Sequence, residues 1–124
     1  MSDPAVYAIA VLHDIQFGAD MISYLQRIDA TLEPYGGRFV VHHPVPTMVE
    51  GQLSGRSAVI VIGFPDRASA QHWYDSPAYQ AILPLRTSNS CGLAMLVDAV
   101  PEGYTASQGL QAMLAGSRRG APAD

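Results

Sequence analysis

VYAIAVL (Val6–Leu12) is apolar at every one of its positions. It has the length and the β-branched content of a strand, and a strand with no polar alternation is one whose two faces are both covered. AVIVIGF (Ala58–Phe64) has the same character. Both runs fall far short of the roughly 18 residues that would suggest a membrane span. They read as two central strands, and the rest of the chain arranges itself around them.

Gly18–Glu33 places Met21, Leu25, Ile28 and Leu32 at helical spacing, with Asp20, Gln26 and Asp29 elsewhere on the circumference. Pro34 and then Gly36–Gly37 stop this helix, because proline disfavours helical geometry at Glu33 and glycine accepts a left-handed helix end. Arg38–His43 reads as a second strand that resumes over Thr47–Glu50; Pro44 and Pro46 suit an edge position. After a turn over Gly51–Arg56, the strand Ser57–Phe64 follows. Asp66 then caps a helix carrying Ala70, Trp73 and Tyr74 on one face. Ser76–Pro77 caps a further helical piece, which runs with a bend at Pro84 to about Asn89. Leu93–Val97 is the fourth strand.

The order is βαββαβ, an α+β chain of the ferredoxin-like type. Two right-handed crossovers put the first and third strands at the centre of a four-stranded antiparallel sheet with helices on one face. The apolar central strands then need cover on the other face, and a second copy of the sheet is the simplest. Residues 1–100 form this domain. Residues 101–124 are a tail in which Ala106, Leu110, Met113 and Leu114 predict a short helix near 105–115 that docks on the body or on a partner, with 116–124 disordered.

Composition excludes several function classes. The chain has 124 residues, enough for one domain, and 48% hydrophobic content argues against bulk disorder. Seven basic residues, all arginine, stand against eleven acidic ones, for a net charge of -4. The only adjacent basic pair is Arg118–Arg119, so no basic stripe for nucleic acid exists. Cys91 is the single cysteine, which excludes an internal disulfide and a thiolate-cluster metal site. The four histidines lack paired ligand spacing, and neither a metal nor a cofactor is expected. MSDPAVY begins with an acid rather than a basic segment, so a secretory signal is disfavoured and a cytoplasmic location is expected.

YGGRFVV (Tyr35–Val41), VEG (Val49–Gly51), VIGFP (Val61–Pro65), the set Ala70, Trp73 and Tyr74, and DSPAYQAILPLR (Asp75–Arg86) together resemble the domain-of-unknown-function family thirteen-thirty. The resemblance runs from about Val6 to Val100. It implies the dimeric α+β barrel architecture, in which two ferredoxin-like sheets face each other, and hence a homodimer. Relatives in that superfamily include cofactor-free monooxygenases, lactone isomerases, polyketide cyclases and ligand binders. Two positions depart from the family pattern: Gly63 stands where a glutamate is common, and His42-His43-Pro44 where Arg-Gly-Gly is common.

Strand alternation puts Arg38, Val40 and His42 on one face and Phe39, Val41 and His43 on the other, with Arg38 and His42 about 13 Å apart. Arg38 would hold an anionic or carbonyl oxygen, while His42 would carry a proton or donate a hydrogen bond. His43 should be solvent-facing. The strand ends gather His13, Asp14, Arg38 and Asp66 near two helix N-termini. His13 and Glu50 are further catalytic candidates, and a strand-end turn for His13–Asp14 or an ion pair of Glu50 with Arg56 or Arg86 is the structural reading of each. Tyr24, Trp73, Tyr74 and Tyr79 are candidates for an aromatic pocket, with Arg86 beside them. Ser76 is a cap rather than a nucleophile, and Cys91 reads as inert. The function expected is a small cofactor-independent enzyme acting by proton transfer on an oxygenated, aromatic or polyketide-like molecule. The competing expectation is a non-catalytic ligand-binding or stress-associated protein.

Overall fold

A computed structural model describes residues 3–43 and 45–118, without the side chains of residues 43, 117 and 118. Strand β1 (Val6–His13) leads into helix α1 (Ala19–Leu32), which a single 3₁₀ turn extends to Tyr35. Gly36 then takes the left-handed conformation, with φ of 71°. Gly37 has no room for a side chain, since a Cβ there would lie 2.7 Å from the Phe64 ring and 2.8 Å from Leu32. This close approach fixes where β2 (Arg38–His43) begins. β3 (Ala58–Phe64), α2 (Arg67–Asp75), α3 (Pro77–Thr87) and β4 (Cys91–Asp98) complete the domain, followed by α4 (Ala106–Arg118).

The sheet order is β2-β3-β1-β4, and every neighbouring pair is antiparallel. The two apolar runs are therefore the central strands, as expected, and the arrangement is ferredoxin-like. Two helix starts also follow the sequence signals: Asp66 Oδ1 accepts from the Ser69 amide at 2.7 Å, and Ser76 Oγ accepts from the Tyr79 amide at 3.2 Å. Among the described residues, no helix is long and apolar enough to cross a membrane.

Register assigns the two faces. Val6, Ala8, Leu12, Ile62, Phe64 and Leu96 face the helices, where Met21, Tyr24, Ile28, Leu32, Trp73, Tyr79 and Ile82 close the core. On the opposite face, Val61, Ile9 and Met95 form one cross-strand row, and Val59, Val11 and Leu93 the next. Among the described residues no helix covers these rows in one chain: Leu93 is 53% exposed and Met95 41%.

Three local expectations are corrected. The second strand ends at His43 and does not resume over 47–50, where the backbone has bends but no ladder; Pro44 lies outside the described residues. The tail helix extends through Arg118, so residues 116–118 are helical rather than disordered, while 119–124 lie outside the described residues. Of the two docking surfaces expected for its apolar stripe, the body is not used in the single chain, where Leu110, Met113 and Leu114 are all exposed; docking on a partner is not touched by this.

Candidate functional site

The helix-facing side of the sheet has a patch of small residues, Ala8, Ala10, Ala58, Gly92 and Ala94, among its larger apolar ones. β1 alternates strictly: its outward positions are Tyr7, Ile9 and Val11, while its inward ones include Ala8 and Ala10. Ala10 sits between Ile60 and Ala94, and Leu12 beside Ala58 and Gly92, so the inner surface is shallow there. A cavity of about 580 Å³ results, within the range that small-molecule sites occupy.

Its far wall is aromatic. Tyr79 packs on Trp73 with ring centroids 4.1 Å apart, and Tyr74 lies 5.6 Å from Tyr79. Trp73 is held in orientation because its indole N–H donates to Thr31 Oγ1 at 3.0 Å, and that hydroxyl donates in turn to the Ile28 carbonyl at 2.6 Å. Beside these rings the hydroxyls of Tyr24 and Tyr79 share a hydrogen bond of 2.7 Å. The guanidinium of Arg86 lies 5.9 Å from the Tyr24 ring centre, and Arg86 is only 9% exposed. Spacing explains the cluster: Tyr79, Ile82 and Arg86 recur on one face of α3 and are its buried residues. Burial, followed by the Tyr79 hydroxyl, pushes the Tyr24 phenol far above its ordinary value, which keeps it a neutral donor. Burial opposes charge on Arg86, but Tyr79 and Tyr24 more than offset it, and the guanidinium stays ionised.

His42 lines the same cavity from β2, with its ring centroid 4.5 Å from that of Phe39. That contact overturns the expected alternation. A bulge between Phe39 and Val41 inserts one residue, so Arg38 is paired with Gly63, Phe39 with Ile62, Val41 with Val61 and His42 with Ile60. Phe39 and His42 therefore share the helix-facing side, and Arg38 is exposed on the opposite face, away from the cavity. His43 pairs with Val59, and its side chain lies outside the described residues. Gly63 also lies on that opposite face. Pro4 fills the space above it, 2.6 Å from where a Cβ would be, so a carboxylate at this position would not reach the cavity.

His13 belongs to a separate cluster. Asp14 Oδ2 accepts from Ser54 Oγ at 2.6 Å and lies 3.0 Å from His13 Nδ1, with Ser54 Oγ 3.2 Å from the same nitrogen. The serine donates to the carboxylate, so this is no nucleophile arrangement. It latches the loop before β3 onto the end of β1, with the Asp14 amide donating to the Ser54 carbonyl. The Ser54 hydrogen bond, then that of His13, holds the Asp14 carboxyl below its usual value. Asp66 caps α2 and does not line the cavity. Glu50 is exposed in the loop before Gly51 and, among the described residues, pairs with neither Arg56 nor Arg86. Cys91 is exposed and sits opposite His13 in register. Among the described residues, no group of three or more His, Cys, Asp or Glu could hold a metal ion.

Arg56 and Phe17 were not among the sequence candidates, yet both line the cavity, with the Arg56 guanidinium 4.6 Å from the centre of the Phe17 ring. No local pattern marks this pair, because one comes from the β1–α1 loop and the other from the loop before β3. The alanines at positions 8, 10, 58 and 94 line the cavity, and their small size is a sequence feature compatible with it but not specific to it.

The model of a protein family described as Domain of unknown function (DUF1330) matches residues 5–100. The chain belongs to that family. This DUF1330 chain also has the fold of solved proteins. One is a protein of unknown function from Rhodopseudomonas palustris, at a TM-score of 0.62 and 13% identity, over 81% of this chain and 85% of that one. Another is SnoaB, a cofactor-independent oxygenase from Streptomyces nogalater, at a TM-score of 0.54 and 16% identity, over 84% of this chain and 100% of that one. No curated protein matches the sequence significantly. At these identities the likeness is one of fold alone, a ferredoxin-like four-stranded antiparallel sheet with helices packed on it.

Proposed function

We propose that this DUF1330 chain is a small cofactor-independent enzyme that moves a proton on an oxygenated, aromatic or polyketide-like molecule held in the cavity between sheet and helices. The observation that supports it is the polar set of His42, Tyr24, Tyr79 and Arg86 on the wall of an otherwise apolar, aromatic cavity. The fold likeness to a cofactor-independent oxygenase agrees with this reading. His42 is the proton carrier, since imidazole titrates near neutrality. It takes a proton from a carbon next to a carbonyl, and the bonding pair of that C–H moves through the carbonyl onto its oxygen to give an enolate. Arg86 and the Tyr24 hydroxyl stabilise that oxygen by charge and by hydrogen bonding. Whether the enolate then isomerises, cyclises or meets dioxygen depends on the molecule bound.

The working form is a homodimer closed through the rows Val61–Ile9–Met95 and Val59–Val11–Leu93, whose apolar side chains need a cover that one chain does not supply.

The test is hydrogen–deuterium exchange at the carbon between ring and carbonyl of 2-tetralone, followed by NMR. Wild type should accelerate exchange, and His42→Ala should remove about 10²-fold or more of that acceleration. Exchange unchanged by His42→Ala would refute the assignment, and binding without exchange would make the chain a ligand-binding protein.

A further inference from the structure

The cavity has an unbalanced charge inventory. The chain carries eleven acidic side chains, yet among the described residues no Asp or Glu lines the cavity, whereas Arg56, Arg86 and His42 do. Arg86 is the sharper case. A buried guanidinium cannot shed its proton, and a buried charge is normally compensated by a partner of opposite sign. Its neighbours are instead the phenols of Tyr24 and Tyr79, and Tyr24 is held neutral. Among the described residues neither arginine has a carboxylate within ion-pair distance; the ion pairs present are His13–Asp14 and Arg67–Asp98. Hydrogen bonds are not what is missing, since among the described residues no buried side-chain nitrogen or oxygen lacks a partner. Arg86 lacks a counter-charge.

We infer that the bound molecule supplies it: the cavity selects an aromatic compound carrying an anionic oxygen, as a carboxylate or an ionised phenol. The anion sits at Arg86 and the rings lie against Trp73 and Tyr79. Arg56 is a second specificity-determining residue. Its stacking on Phe17 holds a positive charge on the cavity wall while leaving the edge N–H groups of the guanidinium for an acceptor. A protein of net charge -4 repels anions at long range, so this local positive field is what admits one. The inference rests on the reading of the cavity as the binding site.

The experiment compares 2-naphthoate with its neutral isostere 2-naphthamide. Trp73 is the only tryptophan and forms part of the wall, so its single indole N–H resonance reports occupancy of this cavity and no other place. Naphthoate should bind about tenfold or more tightly than naphthamide. Arg86→Met should abolish that preference, and Arg56→Gln, at an exposed position that tolerates substitution, should reduce it about threefold. Equal affinities in wild type would overturn the charge selection and leave the cavity reading standing. A preference that survives both substitutions would overturn it as well. Absence of any Trp73 shift with either compound would overturn the cavity reading and this inference together.

Discussion

Replacing Ala10 with leucine tests whether the space above the sheet is empty. Ala10 lies in the inner row between Ile60 and Ala94 and lines the cavity. In a closed core, three extra carbons would force off-rotamer packing and cost about 1–3 kcal/mol. Into a cavity of about 580 Å³ the same side chain fits without displacing a neighbour. Burying it contributes about 0.8 kcal/mol per carbon, roughly 2 kcal/mol, from which about 0.5–1 kcal/mol of rotamer entropy is lost. Ala10→Leu should therefore leave stability unchanged or raise it by about 1 kcal/mol, while weakening binding of a naphthalene probe at least tenfold. Urea unfolding with an unchanged m-value measures the first effect and calorimetry the second. Destabilisation by more than about 1 kcal/mol with binding intact would show that the space above Ala10 is already filled.

Val61→Arg, in the middle of the uncovered face, should convert a dimeric mass to a monomeric one by light scattering at micromolar concentration; a wild-type monomer would defeat the dimer proposal. Thr31→Val strips the acceptor from the buried Trp73 N–H and should cost about 1–3 kcal/mol, whereas a neutral effect would mean that the indole finds another partner. Because the folded-state pKa of Asp14 is depressed, its contribution to stability is present above its ordinary value of 3.8 and is lost as pH falls below that. Asp14→Asn should therefore lower the melting temperature at neutral pH and have less effect below about pH 3; an equal loss at both would place the effect elsewhere than in its charge.

The fold was legible because its information is local and repeated. Two strands without polar alternation, Gly36–Gly37 after a helix, and the caps Asp66 and Ser76 each pointed to the same topology. Tyr79 and Arg86 were within reach for the same reason, being seven residues apart on one helix. The bulge at Val40 was not legible. FVVHH gives no local cue for an extra residue, and one insertion exchanges the faces of everything after it: His42 stays beside the cavity while Arg38 is lost to the other side. Arg56 and Phe17 escaped because their contact joins two loops distant in sequence. The alanines of β1 were visible but ambiguous, since a small inward side chain serves a tightly packed helix as well as an empty space.

We propose that the cavity within each chain, between the alanine patch of the sheet and the aromatic wall, is where the molecule acts. A crystal structure of the protein soaked with 2-naphthoate measures this most directly. Ring density is expected against Trp73 and Tyr79 above Ala10 and Ala94, with the carboxylate toward Arg86 and His42 on the rim. Density seated instead at His13 and Ser54 or on the Leu93 face, or a cavity closed by collapsed side chains, would contradict it.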